Sequence, residues 1–203
     1  RRAPNAGVDL MAVDHGRARL RKTRVIGQHQ QIVRLDYEEV VPPDSRLEAE
    51  ILALFNSAVD GCDVVVISDY AKGFLSLTLS QTLLQRAHGA GKRVIVDPRP
   101  QHSPLYVGCG YLTPHWKEMR APLDLPDAEP TPDQTAMVAA KLASSLGANI
   151  VLTLGPQGIR FCSQNGTEQF SVPTIAREVF DVSGAGDTVA AAFALSLAAG
   201  ADH

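Results

Sequence analysis

At 203 residues the chain has the length of one domain, or of one domain with a small appendage. Hydrophobic residues at 45% and charged residues at 20% argue against a disordered chain. A net charge of −3 without a basic stripe argues against nucleic acid as a partner. No apolar run approaches the ~18 residues that a membrane span needs.

No signal peptide is legible behind Arg1-Arg2-Ala3-Pro4-Asn5. Cys62, Cys109 and Cys162 are odd in number and far apart, which suggests a reducing compartment and neither a disulfide framework nor a zinc site. The expected location is the cytoplasm. His15, His29, His88 and His102 have no partner at ligand spacing and read as surface or structural residues.

In chain order, residues 22–41 alternate around Gly27 and predict two antiparallel strands. Pro42-Pro43-Asp44 closes that unit, and an amphipathic helix is expected from about Arg46 to Val59. Asp63 to Ser68 is an apolar run of strand length. A helix from about Thr78 to His88 is ended by Gly89 and Gly91. Arg93 to Asp97 and Tyr111 to Thr113 are further strands, each stopped by a proline. Thr131-Pro132-Asp133 opens a helix that runs to Gly147, with proline at its first position. Ile150 to Leu154 is the clearest strand, and a polar, Gly-rich hairpin follows over 155–172. Apolar runs alternating with helices imply an α/β fold: a parallel sheet with helices on both faces, and a small antiparallel β element near the N-terminus.

Ligands of open α/β sheets gather at the C-terminal ends of the strands. Four polar loops occupy those ends: Ser68 to Gly73, Asp97 to Arg99, Thr113 to Glu118, and Gly155 to Gly158. A fifth element has a sharper character. Phe180-Asp181-Val182-Ser183-Gly184-Ala185-Gly186-Asp187-Thr188 is a small-residue turn opening the apolar run Val189 to Leu195. The N–H groups of Gly184, Ala185 and Gly186 would point from a positive helix end and could hold an anion. Asp187 would stand beside that anion, placed to take a proton from an attacking hydroxyl. The same spacing also fits a plain tight turn with a dipole-compensating carboxylate. The rival phosphate loop and the dinucleotide fingerprint are both absent; the one Gly-Lys pair, Gly91-Lys92, is followed by Arg93.

The string Asp181 to Ala194 resembles the C-terminal signature of the ribokinase-like (PfkB) carbohydrate kinases. That resemblance implies ATP as donor, Asp187 as base, and Gly184, Ala185 and Gly186 as the anion cradle. Gly155 and Gly158 are similar to the family's Gly-x-x-Gly turn beside the nucleotide, although such a turn is also an ordinary hairpin connection. Asp181 is placed by the resemblance near the nucleotide loop or a monovalent cation, with a structural role equally open. The family's Asn-x-x-Glu element, which helps hold Mg²⁺ through water, corresponds here to His115 and Glu118, so His stands where Asn is expected. A neutral imidazole can still donate one hydrogen bond, and Glu118 suits a cation that prefers oxygen ligands and keeps its water. The alternative is that Glu118 is a solvated residue of a short helix.

Further stretches resemble one branch: Arg21 to Ile26, Gln30 to Asp36, Ser68 to Gly73 and Val96-Asp97-Pro98 are similar to the D-glycero-β-D-manno-heptose 7-phosphate kinase modules of ADP-heptose synthase. This implies transfer to the anomeric hydroxyl of the heptose 7-phosphate, within ADP-heptose and lipopolysaccharide biosynthesis. Lys72 is the candidate for gripping the distal phosphate as a point charge. Arg34 and Asp36, on the strand Gln30 to Asp36, are candidates for the sugar, against the alternative of a solvated strand face, and Asp69 of the strand-end loop is a further substrate candidate. The resemblance leaves open another sugar such as fructose or ribose, a catalytically impaired binding remnant, a homodimer, and a nucleotidyltransferase module fused outside the chain. The family's Gly-Gly-rich, Asn-containing N-terminal element has no match. The expectation is therefore that residues 1–203 form a partial kinase domain, with 22–41 as the β element, 60–203 as the α/β core and an exposed sheet edge.

Overall fold

A computed structural model describes residues 7–16, 21–28, 30–120, 123–125, 127–175 and 184–201. Strands β1 (Arg21–Gly27) and β2 (Gln30–Tyr37) form a separate antiparallel hairpin, with a register shift between Val25 and Ile26. The hairpin supplies no buried side chain: Ile26 and Ile32 are 65% and 70% exposed.

The remaining strands make one six-stranded sheet in the order β3-β4-β5-β6-β7-β8. The strands β3 (Val64–Ser68), β4 (Arg93–Asp97), β5 (Tyr111–Leu112) and β6 (Asn149–Thr153) are parallel. β7 (Ile159–Cys162) and β8 (Gln169–Val172) then run antiparallel. The expected hairpin is thus the sheet's own extension, and the sheet is mixed rather than purely parallel. β3 forms one edge.

Helix boundaries follow local chemistry. Asp44 caps α1 (Ser45–Ala58), accepting from the Leu47 N–H at 2.8 Å; Leu47 and Ile51, one turn apart, are its buried residues. Ser76 caps α2 (Leu77–Gly89) through the Leu79 N–H at 3.0 Å, and its hydroxyl donates to Glu48 of α1, so one cap joins two helices. α3 (Trp116–Arg120) is a single turn anchored by buried Trp116 and Met119. α4 (Pro132–Leu146) opens with a reciprocal Thr131–Gln134 capping box. It ends at Gly147, whose φ of 59° is the left-handed cap.

Two apolar clusters sandwich the sheet. The larger gathers Leu79, Leu83, Leu84 and Ala87 of α2, Val138, Ala139 and Ala143 of α4, Val94 and Val96 of β4, and Ile150 and Leu152 of β6. On the other face, α5 (Ala185–Ala198) packs Leu197, Phe193 and Ala194 against Ile95, Tyr111 and Val64. The Tyr111 and Phe193 rings meet edge to face, with centroids 5.2 Å apart. That packing sets the first turn of α5 above the C-terminal ends of the parallel strands. Among the described residues no helix is long and apolar enough to cross a membrane.

Candidate active site

A cavity of about 240 Å³ opens where the strand-end loops meet the start of α5. Tyr70, Asp97, Arg99, Thr113, His115, Glu118, Thr153 and Gly184 to Asp187 line it. Every parallel strand therefore contributes, as the strand-end rule requires.

The α5 end is open. Gly184 takes φ 76°, a conformation that favours glycine, and its carbonyl accepts from the Thr188 N–H at 2.9 Å. Helix geometry leaves the first-turn N–H groups without partners inside the helix, and they meet the positive end of its dipole. Gly184, Ala185, Gly186 and Asp187 are all exposed. The Tyr70 hydroxyl donates to the Asp187 carboxylate, at 3.2 Å to Oδ1 and 3.4 Å to Oδ2.

The opposite wall carries charge of both signs. Arg99 pairs with Glu118, and its guanidinium also lies over the Tyr70 ring, 5.8 Å from the centroid. Burial raises the Asp97 carboxyl from its ordinary 3.8 to about 6, helped by the charges of Glu118 and Asp187 and opposed by Arg99 and a hydrogen bond from Ser68. His115 accepts from the Lys117 N–H through Nδ1 at 3.0 Å, which leaves Nε2 to carry the proton of the neutral ring. Burial holds the His115 imidazole below its ordinary range and so favours that neutral form, with Lys117 adding to the effect and Glu118 opposing it. His115 thus has the one-donor character that an amide would bring. Among the described residues no group of three or more His, Cys, Asp or Glu side chains is arranged to hold a bare metal ion. The carboxylate of Glu118 suits a hydrated cation held through its waters.

The structure thus brings together Gly184, Ala185, Gly186, Asp187, His115 and Glu118. It sets the other expected residues elsewhere. Asp69 is 5% exposed and absent from the cavity wall. Its Oδ2 accepts from Tyr106 at 2.5 Å and meets His102 Nδ1 at 2.6 Å, while Oδ1 accepts from the Ala71 N–H at 2.7 Å. Burial pushes the Asp69 carboxyl up, but the hydrogen bonds of Tyr106, Ala71 and His102 prevail and hold it below the ordinary range. Asp69 is the fastening of its loop.

Lys72 lies on the same loop and pairs with Glu38 at 2.5 Å, just beyond β2. Arg34 makes a forked pair with Asp36, 2.6 Å at the shortest contact. Gly155 and Gly158 bracket the short helical turn after β6 and are absent from the cavity wall. A Cβ on Gly158 would stand 2.1 Å from the Val172 carbonyl oxygen, so close approach of the β7–β8 hairpin demands glycine there. Asp181 lies outside the described residues.

Five lining residues were not singled out from sequence: Tyr70, Asp97, Arg99, Thr113 and Thr153. Four of them belong to the strand-end loops that the sheet rule had marked, and Thr153 ends β6. The signal existed for segments and not for side chains.

The profile of the pfkB family carbohydrate kinases matches residues 11–203. The chain belongs to the pfkB family. Among curated relatives it is 41% identical over 196 residues to the bifunctional protein HldE of Desulfatibacillum aliphaticivorans, covering 95% of this chain and 39% of that one. Against the bifunctional protein HldE of Azorhizobium caulinodans it is 38% identical over 197 residues, covering 97% and 40%. The chain therefore spans about two fifths of the length of these relatives.

Solved structures of similar fold include Arabidopsis thaliana ribokinase complexed with ribose and ATP, at TM-score 0.63 and 20% identity, covering 87% of this chain and 55% of that one. Escherichia coli phosphofructokinase-2 in complex with potassium aligns at TM-score 0.63 and 22% identity, covering 84% and 55%. These likenesses carry the ribokinase-like fold, and the profile carries membership of the pfkB family carbohydrate kinases.

Proposed function

We propose that this pfkB chain transfers the γ-phosphoryl group of ATP to the anomeric hydroxyl of D-glycero-β-D-manno-heptose 7-phosphate, giving the 1,7-bisphosphate. One observation carries the reading: an exposed carboxylate, Asp187, stands in the first turn of a helix whose open N-terminus faces the ends of four parallel strands. The heptose assignment is supported by the resemblance of residues 21–36 and 68–73 to that branch and by the identity to the bifunctional HldE proteins.

In this reading Asp187 accepts the proton of the attacking hydroxyl. The N–H groups at the start of α5 hold the charge developing on the transferring phosphoryl group, and their dipoles are already aligned before reaction. Glu118 and His115 would orient the water shell of Mg²⁺, which supplies charge neutralisation at the phosphates. Lys72, paired with Glu38, is the cation offered to the distal phosphate of the sugar, and Arg34, paired with Asp36, is offered to the sugar itself. Gly155, Gly158 and Asp181 are assigned to the nucleotide side, a monovalent cation included.

The test is a panel of acceptors with ATP and Mg²⁺: heptose 7-phosphate, unphosphorylated heptose, fructose and ribose. Transfer to the heptose 7-phosphate above all others is expected. Transfer to fructose or ribose in its place would overturn the sugar assignment and leave the kinase chemistry standing.

A further inference from the structure

Tyr70 is an exposed aromatic residue on an unusually well-fastened loop. The residue is 55% exposed, yet the backbone on either side is fixed from within. The Asp69 N–H donates to the Asp97 carbonyl at 3.0 Å, and the buried Asp69 carboxylate receives Tyr106, His102 and the Ala71 N–H. Ala71 takes φ 53°, a left-handed conformation costly to a residue with a Cβ. Gly73, at φ 79°, lies so close to the Val41 backbone that an added Cβ would meet its carbonyl oxygen at 2.5 Å.

The same network fixes Arg99. Its N–H donates to the Tyr106 hydroxyl at 3.0 Å, so the residue flanking the Tyr70 ring and the residue preceding Tyr70 share one buried hydroxyl. A solvated tyrosine needs none of this. What the fastening achieves is a fixed phenol hydroxyl against the Asp187 carboxylate, contributed from 117 residues away in the chain.

We infer that Tyr70 is a positioning residue for the phosphoryl-transfer base: its hydroxyl holds one side of the Asp187 carboxylate, so that the remaining lone pairs face the acceptor hydroxyl. The inference rests on the reading of Asp187 as the base. In the transfer, the acceptor O–H bond breaks and its proton goes to Asp187. The acceptor oxygen bonds to the γ-phosphorus, and the bond from that phosphorus to the bridging oxygen of ADP breaks. Tyr70 keeps its own proton throughout. A carboxylate pre-aligned by a donor avoids the reorientation that a freely turning side chain would need at the moment of reaction.

The experiment compares the wild-type chain with Tyr70→Phe and Asp187→Asn, using ATP, Mg²⁺ and heptose 7-phosphate. Tyr70→Phe should lower kcat about tenfold, as expected for a lost hydrogen bond to a charged group, and leave the KM for ATP within about twofold. Its melting temperature should match that of the wild type. Independently of turnover, the Asp187 side-chain carboxyl ¹³C resonance should move in Tyr70→Phe. An unchanged kcat with an unmoved resonance overturns the inference. So does a rise in both KM values with a fall in melting temperature, since that marks a structural role. If Asp187→Asn retains full transfer, the base assignment itself has failed. If Asp187→Asn abolishes transfer while Tyr70→Phe behaves as wild type, only the Tyr70 inference falls.

Discussion

Two segments meet at the cavity, where Tyr70 touches Asp187, and are built in opposite ways. The loop after β3 is fastened from beneath by a buried carboxylate with three donors and by a glycine pressed on the Val41 backbone. The start of α5 is open, with Gly184 to Thr188 exposed in succession and a glycine as its cap. The difference teaches a division of labour. On the proposed reading, an anion cradle needs unpaired donors, which a bare helix end offers. On the same reading, Asp187 as base needs a rigid reference point, which the β3 loop offers through polar groups buried elsewhere. The hairpin β1–β2 is different again: exposed at all but Gly27, it offers Arg34 as a surface cation and no core residue.

The contrast can be broken at its fastened side first. Asp69→Ala strips partners from Tyr106, His102 and the Ala71 N–H, and should destabilise the fold by roughly 3 kcal/mol in denaturant titrations. Gly73→Ala forces a Cβ onto the Val41 backbone at positive φ and should cost about 2 kcal/mol by the same measurement. A neutral result for either would mean that the loop is not fastened as described.

A smaller effect tests the charge around the cavity. Asp97 binds its proton more tightly when folded, about 6 against 3.8, so its contribution is most favourable below the lower value and is lost as pH rises through the higher one. Asp97→Asn removes that loss. The melting-temperature difference, variant minus wild type, should climb from about pH 4 to about pH 6 and then level off. A flat difference would show that burial and the neighbouring carboxylates do not raise the Asp97 carboxyl.

Much of this architecture was legible beforehand because it is local. The capping box at Thr131, the glycine stop at Gly147 and the apolar runs of β3, β4 and β6 are written in neighbouring residues. The Gly184–Asp187 turn was legible for the same reason, and the strand-end rule placed it beside the correct loops. What escaped was pairing at a distance. Asp69 at a strand end reads alike whether it meets a sugar or lies under Tyr106, because burial depends on how the 100–106 segment folds back over it. Tyr70 and Arg99 gained their places by the same long-range packing. Gly158 shows a further ambiguity: a glycine beside a ligand loop and a glycine demanded by a crossing carbonyl carry one letter. The mixed sheet had a similar cause, since the β7–β8 hairpin could have stood apart until its register with β6 was known.

The central claim is that Asp187 is the base and the turn before it the phosphate cradle. Its most direct test is Asp187→Asn, assayed for γ-phosphoryl transfer from ATP to heptose 7-phosphate alongside ATP binding by calorimetry. The account predicts a fall in kcat of about a thousandfold with ATP affinity essentially unchanged. Transfer at the wild-type rate, or loss of ATP binding together with turnover, would contradict it.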